Sequence, residues 1–227
     1  MIKGIYTAAG AMLAEMVRQD VRAHNLANVD TTGFKRCLAR VIAADDVNSE
    51  PRITGEIDQS MGGVKSTNAP LDVALQTPGY FVLNTPNGPR YTRDGHFSLN
   101  ADKVLVNTQG FPVMGENGQI VLNGGRIEIG QDGSIFSDGT RVDSFLVVDY
   151  PAMTSLTPEA GSAVAGSVAP VPVANYALIQ GGLETSNVNA VTEMTAMTSG
   201  YRIYEANAKA VGQIDNSLSQ LIRATTE

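Results

Sequence analysis

The side chains able to do acid–base or metal chemistry are few in this 227-residue chain: two histidines, His24 and His96, a single cysteine, Cys37, and carboxylates such as Asp94 and Asp132 beside glycines. General acid–base catalysis needs two titratable groups converging on one reacting atom. His96, Asp94 and Asp132 are the candidates, and each lies in or beside a turn dipeptide, Asp94-Gly95 or Asp132-Gly133, that already has a backbone explanation. No Ser nucleophile elbow, phosphate-binding glycine loop or metal-ligand spacing occurs. One cysteine cannot form an intrachain disulfide or a Cys-based zinc site, and two histidines are too few for a His-rich centre. The recurring acidic-glycine pairs match neither the EF-hand loop nor the calcium-binding nonapeptide repeat. The expectation is therefore no catalytic, cofactor-binding or metal residue and no enzymatic activity, with Cys37 a small residue near a turn.

Charge narrows the partners. Sixteen basic against twenty-three acidic residues leave a net charge of −7, which offers neither the basic footprint of a nucleic-acid binder nor a polybasic membrane patch. No run approaches eighteen consecutive apolar residues, so no inserted membrane span is expected. The first residues lack the basic n-region, unbroken apolar core and small-residue cleavage site of a conventional secretory signal. The chain is expected either to stay in the cytoplasm or to leave by a route without a cleaved signal.

With so little chemistry to position, the strongest pattern is mechanical. From Ile2 to Leu26 the apolar residues fall on heptads, with Ile2, Ala9, Met16 and Ala23 at one seam position and Ile5, Met12, Gln19 and Leu26 at the other. Such a helix would be roughly 35–40 Å long and needs a helical partner. Its end, Asn25 to Lys35, predicts an abrupt stop: Asn28 can take the left-handed C′ conformation and Gly33 a second positive φ, with Phe34 anchoring the return. A second amphipathic helix is predicted from about Asn189 to Arg223, capped by Asn187 or Asn189, with Met194, Tyr201, Ala208 and Ile222 at one heptad position and Met197, Tyr204, Val211 and Leu218 at the other. Gly200 and Gly212 inside it each cost about 1 kcal/mol against alanine, which close approach of a neighbouring helix would offset.

Between the helices the period changes to that of strands. Short apolar runs from Gly79 to Tyr150 alternate with Asn87-Gly88, Asp94-Gly95, Asn117-Gly118, Asp132-Gly133 and Asp138-Gly139, which predicts type I′ hairpins in an all-β domain. Pro112 within an apolar run predicts an edge strand or a bulge. The expected fold class is α+β: amphipathic coiled-coil-forming helices at both ends, pairing with each other, around an inserted hairpin-rich β domain of partly open barrel or sandwich form. The expected boundaries are 1–35 for the first helix and turn, 36–62 for an extended linker, 63–182 for the β domain with a loose Ala/Gly/Pro-rich connection at 151–175, and 183–227 for the second helix.

Several stretches resemble a known family. Ile5-Tyr6-Thr7-Ala8-Ala9-Gly10-Ala11-Met12, Asn25 to Lys35 and Leu183-Glu184-Thr185-Ser186-Asn187-Val188-Asn189 are similar to the terminal signatures of bacterial flagellar axial proteins of the rod and hook group. Pro70-Leu71-Asp72-Val73-Ala74-Leu75, Gly79-Tyr80-Phe81 and Tyr91-Thr92-Arg93-Asp94-Gly95-His96-Phe97 resemble its middle. Within the group the likeness is nearest to proximal-rod members, with the distal rod next and the hook disfavoured. The resemblance implies a structural subunit of the basal-body rod, crossing the periplasm and exported by the flagellar type III apparatus without signal cleavage. It implies partnership with copies of itself and other axial proteins, through a helical layer built from both termini. The residues expected at that interface are Ile5, Met12, Met16, Asn25, Leu26, Asn28, Gly33 and Phe34 from the N-terminal region, and Leu183, Asn187, Met194, Met197, Tyr201, Tyr204, Val211 and Leu218 from the C-terminal region. Gly33→Val is expected to block assembly while sparing the β domain. A secreted β-rich adhesin or carbohydrate-active protein is the alternative of another class.

Overall fold

The structure is a computed structural model that describes residues 2–42, 52–150, 156–158, 162–166 and 168–226. It divides into two compact units: a helical one from residues 1–27, 37–56 and 189–227, and a β-rich one from 28–36 and 57–188.

In the helical unit, helix α1 spans Ile2–Ala27 and helix α2 spans Ala190–Thr226. Asn189 caps α2, its Oδ1 accepting from Thr192 N at 3.1 Å, a bond worth about 1 kcal/mol. The helices pack antiparallel: Gly4 faces Ile214 near one end, and Gln19 Nε2 donates to Met197 O at 2.7 Å near the other. Where the sequence reads as a linker, strands Cys37–Ile42 and Arg52–Ile57 pair into a two-stranded ribbon, the first of which packs on α1. Its attachment is specific: Asn25 Oδ1 accepts from Cys37 N and Asn25 Nδ2 donates to Cys37 O, both at 2.8 Å. One side chain thus satisfies both backbone groups of a buried residue.

The β-rich unit holds a six-stranded antiparallel sheet whose order is Leu156–Pro158, Ala163–Gly166, Gly88–Thr92, Tyr80–Thr85, Val147–Asp149, Val171–Pro172. Smaller sheets accompany it, including the triplet Ile127–Ile129, Ser134–Ser137 and Thr140–Ser144. Among the described residues no sheet closes into a barrel. The expected loose connection at 151–175 instead supplies three of the six strands; backbone pairing needs no large side chains, and Val164 and Leu156 supply enough apolar surface to be buried. The core centres on Phe81, Phe97 and Phe145, with Phe81 and Phe97 edge-to-face at 5.3 Å between centroids, and each fully buried ring contributes about 1.5–3 kcal/mol by its area. A smaller cluster holds Ile57, Tyr80, Tyr150, Leu156 and Val164.

The expected type I′ geometry holds at Asp138-Gly139, where both residues have positive φ and Ser137 pairs with Thr140. At Asn87-Gly88 and Asn117-Gly118 only the glycine does, so those hairpins turn differently. Pro112 makes an isolated bridge with Val106 rather than entering a strand.

Candidate assembly interface

The two helices meet along a seam shifted by one residue from the hydrophobic prediction. On α1 the covered positions include Ile5, Ala8, Met12, Glu15, Gln19, Arg22 and Leu26, besides Ala14, Val17, Arg18, Val21 and Asn25; Ile5, Met12, Gln19 and Leu26 are where the heptads put them, whereas Ala9, Met16 and Ala23 are exposed. On α2 the covered positions include Glu193, Met197, Gly200, Tyr204, Asn207, Val211 and Ile214, besides Ala190, Ala196 and Ala210. Met197, Tyr204 and Val211 agree with expectation, while Met194 and Tyr201 point outward at 54 % and 62 % exposure and Ala208 is exposed. The side chain of Leu218 lies outside the described residues, as does that of Ile222.

The displacement has a physical cause that hydrophobic periodicity cannot register. Glu15, 2 % exposed, sits in the seam and pairs with Arg22 Nη1 at 2.7 Å and Arg18 Nη1 at 3.2 Å. Gly200 faces this cluster: a Cβ there would come within 2.0 Å of Glu15 Oε1, 2.5 Å of Arg22 Nη1 and 2.7 Å of Gln19 Nε2. Two stripes therefore remain uncovered in the helical unit, Tyr6, Leu13 and Met16 on α1 and Val191, Met194 and Tyr201 on α2, each following helical spacing.

The turn after α1 is built differently from its prediction. Asn28 has no positive φ; its carbonyl instead accepts from Thr31 N at 3.2 Å and its Oδ1 from Thr31 Oγ1 at 3.1 Å. The left-handed residue is Gly33, φ +66, whose N–H donates to Glu184 O at 2.8 Å. Gly33 lies so close to the 93–94 backbone that a Cβ would stand 2.3 Å from Asp94 N. Phe34 beside it is 3 % exposed. Since Gly33 and Phe34 belong to the β-rich unit, Gly33→Val would not spare that unit, contrary to expectation.

Lys35, Gly62 and Arg93 close on one carboxylate. Glu184 Oε1 accepts from Lys35 Nζ at 2.7 Å and from Gly62 N at 3.0 Å, and Oε2 faces Arg93 Nε at 3.3 Å. Lys35 Nζ also donates to Ser60 O, Arg93 Nη1 to Thr77 O, and the Arg93 guanidinium lies 5.8 Å above the Tyr80 ring. All three charged side chains are 3 % exposed or less. Burial pulls the Lys35 ammonium below its usual pKa against the attraction of Glu184, and pushes the Tyr80 phenol up to about 12. Asn187 joins the same clasp as an acceptor for Arg36 N at 2.7 Å and a donor to Asp58 O and Ser60 O, so it is Asn189 alone that caps α2. Leu183 is buried in the adjoining strand, Gly182–Glu184, which pairs with Val64–Ser66. Of the residues expected at an interface, Asn25, Gly33, Phe34, Leu183 and Asn187 are thus occupied inside their own units.

The acid–base candidates are likewise engaged locally. Asp94 Oδ1 accepts from Thr32 Oγ1 and His96 N, Asp132 accepts from Ser134 N and Oγ, and His96 Nδ1 meets Asp72 Oδ1 at 2.7 Å. Burial raises the Asp94 pKa against these hydrogen bonds, while the bonds from Ser134 lower that of the exposed Asp132. Among the described residues no group of three or more His, Cys, Asp or Glu side chains could hold a metal ion, and no helix is long and apolar enough to cross a membrane.

Comparison with known proteins covers the same elements. Residues 5–35 match the family described as flagella basal body rod protein, 74–137 the flagellar hook protein FlgE/F/G D1 domain, and 179–224 the flagellar basal body rod FlgEFG protein C-terminal family. The chain is similar to the flagellar basal-body rod protein FlgF of Escherichia coli K12, 32 % identical with 96 % of each chain covered. It is similar to FlgG of Buchnera aphidicola from Schizaphis graminum, 30 % identical over 97 % of this chain and 99 % of the relative. It is also similar to FlgF of Rhizobium meliloti, 29 % identical over 98 % and 97 %.

Proposed function

The chain belongs to the flagellar basal-body rod protein family, a family of structural proteins, and from this premise we propose that it is a non-enzymatic subunit of the rod that polymerises through its terminal helices into a tubular axial shaft carrying torque from motor to hook. The observation that carries the reading is the pair of uncovered apolar stripes, Tyr6–Leu13–Met16 and Val191–Met194–Tyr201, left over after the helices have paired within the chain. Those stripes would form coiled-coil-like contacts with copies of this chain and other axial proteins, through heterologous head-to-tail interfaces that extend rather than close. Met16 and Met194 suit contacts with non-identical neighbours, because the unbranched thioether adapts to different packing. Of the residues named from sequence, Met16, Met194 and Tyr201 would make these contacts, and Ile5, Met12, Leu26, Met197, Tyr204 and Val211 would pair the helices within the chain.

The proximal rod is the assignment we favour, with export through the flagellar type III apparatus, an uncleaved N-terminus and a final position in the basal body; several FlgF relatives support it. Similarity to FlgG relatives of almost the same coverage keeps the distal rod as the alternative. A Met194→Glu/Tyr201→Glu variant tests the polymerisation reading. Motility and rod assembly are expected to be lost while the tyrosine-monitored unfolding of the β-rich unit is unchanged, and full-length rods in isolated basal bodies would refute it. For the position along the axis, a deletion strain whose basal bodies keep an intact rod and hook would contradict the proximal assignment.

A further inference from the structure

The six-stranded sheet ends in strand Leu156–Pro158 on one side and Val171–Pro172 on the other, and among the described residues neither pairs with a further strand. An open edge presents backbone N–H and C=O groups to which another extended chain can add. The sequence around the second edge invites such addition: residues 160–183 contain no charged side chain, and Val168 and Val171 are exposed. Register shows what that edge offers. In an antiparallel ladder successive residues bond alternately to the strand on either side. Val173 N donates to Val147 O at 2.9 Å, so Val173, and with it Val171 opposite Asp149, turns its backbone groups inward, while Pro172 opposite Val148 turns outward. The outward position therefore has no N–H, and neither does Pro170, the preceding position of the same parity. Counting on across the sheet, Val148 bonds towards Tyr80, Phe81 towards Thr92, Tyr91 towards Val164 and Ala165 towards Thr157, which leaves Leu156 and Pro158 outward at the far edge. Asn84 N, which donates out of the Tyr80–Thr85 and Gly88–Thr92 pair to Pro112 O at 2.9 Å, has the phase that this count requires. The far edge is closed by other means as well, since Leu156 is buried.

We propose that Pro172, together with Pro170, is a stop that closes the exposed edge of the main sheet to strand addition by a second copy of the chain. The two prolines do there what lysines do on other edges: they deny a newcomer its ladder of hydrogen bonds where no charge is present to repel it. A proline merely tolerated at an edge has no such consequence when it is replaced. The proposal stands on the sheet of one chain and is independent of the polymerisation reading, which concerns the helices.

The test is Pro170→Val/Pro172→Val in the full-length chain, with molar mass followed by analytical ultracentrifugation over a concentration series and amide exchange read by mass spectrometry in the peptide that contains residues 168–176. The variant should exceed the mass of the wild type at matched concentration. The amides newly supplied at 170 and 172 should exchange about tenfold more slowly, or slower still, at the highest concentration than at the lowest. Adding Val171→Lys, which puts a charge on the restored edge, should return the variant to the wild-type mass. Pro172→Ala restores one N–H without a β-branched side chain and gives the same readout should the double variant not fold, as judged by its tyrosine-monitored unfolding. A mass equal to the wild type at every concentration, with exchange at 170 and 172 independent of concentration, would overturn the proposal. Added mass without slowed exchange at those two amides would overturn it too, because the chains would then be joining elsewhere.

Discussion

Replacing Glu184 by glutamine probes the clasp most directly. The substitution keeps the side-chain shape but removes the negative charge that the Lys35 ammonium and the Arg93 guanidinium share, both 3 % exposed or less. One oxygen could still accept from Lys35 or Gly62, now 2.7 and 3.0 Å from Oε1, but the amide NH2 would face a cation. Breaking a buried pair by removing one partner costs about 3–5 kcal/mol, because the remaining charge is left without compensation in a poorly solvated site. With a urea dependence of about 2–3 kcal/mol per M for a unit of this size, a loss of about 4 kcal/mol lowers the midpoint by roughly 1.3–2 M. The chain has no tryptophan, so the transition is followed by tyrosine fluorescence, to which the buried Tyr80 and Tyr150 report from the β-rich unit. The cycle with Lys35→Met isolates the pair: the double variant should lose less than the sum of the singles by about 1–3 kcal/mol. A midpoint shift below about 0.3 M, or strict additivity, would refute the view that Glu184 holds the segments together.

Gly33→Ala should cost the β-rich unit about 2–3 kcal/mol in the same assay, from roughly 1–2 kcal/mol of left-handed strain and about 1 kcal/mol for disturbing the hydrogen bond to Glu184 O; an unchanged midpoint would contradict the close approach to Asp94. Asn25→Ala removes the side chain that bonds both the N–H and the C=O of buried Cys37 and should cost about 1–3 kcal/mol, seen as faster hydrogen exchange at the Cys37 amide; undiminished protection would show that the ribbon is held otherwise. Asp94→Asn should stabilise the β-rich unit at neutral pH. Burial raises the folded pKa of Asp94, so the native state binds the proton more tightly and the wild-type chain loses stability as pH rises from the unfolded carboxylate value, about 3.9, through the folded one. The gain of the variant should be smallest below pH 3.9 and grow across that window, and a gain independent of pH would exclude Asp94 as its source.

The helices were legible in the sequence because repetition over many turns averages out local exceptions, and one position of each heptad was correctly phased at Ile5, Met12 and Leu26 and at Met197, Tyr204 and Val211. The other position was misplaced by one residue because hydrophobicity assigns no value to a carboxylate closed by two arginines or to the space over a glycine. The hairpins were visible through their glycines, but the strands within 151–175 were hidden by small residues whose contribution is backbone pairing. The clasp was invisible for a different reason. Lys35, Arg93 and Glu184 stand in three separate stretches with no period linking them, and the available signal was three charged residues embedded in turn-rich or small-residue motifs, each of which reads as an exposed position until the fold brings them together.

The clasp also decides the order in which a pull on this chain is felt. Residues 28–36 follow α1 and residues 184–188 lead to α2, so tension carried along either covalent connection reaches Gly33, Lys35 and Glu184 before it reaches the hairpins behind them. These contacts are in series with the load, whereas the Phe81–Phe97–Phe145 core lies beyond them. A pull on either connection is then resisted first by one charge-assisted bond, Lys35 Nζ to Glu184 Oε1, and one backbone bond, Gly33 N to Glu184 O, which tie the two connections to each other.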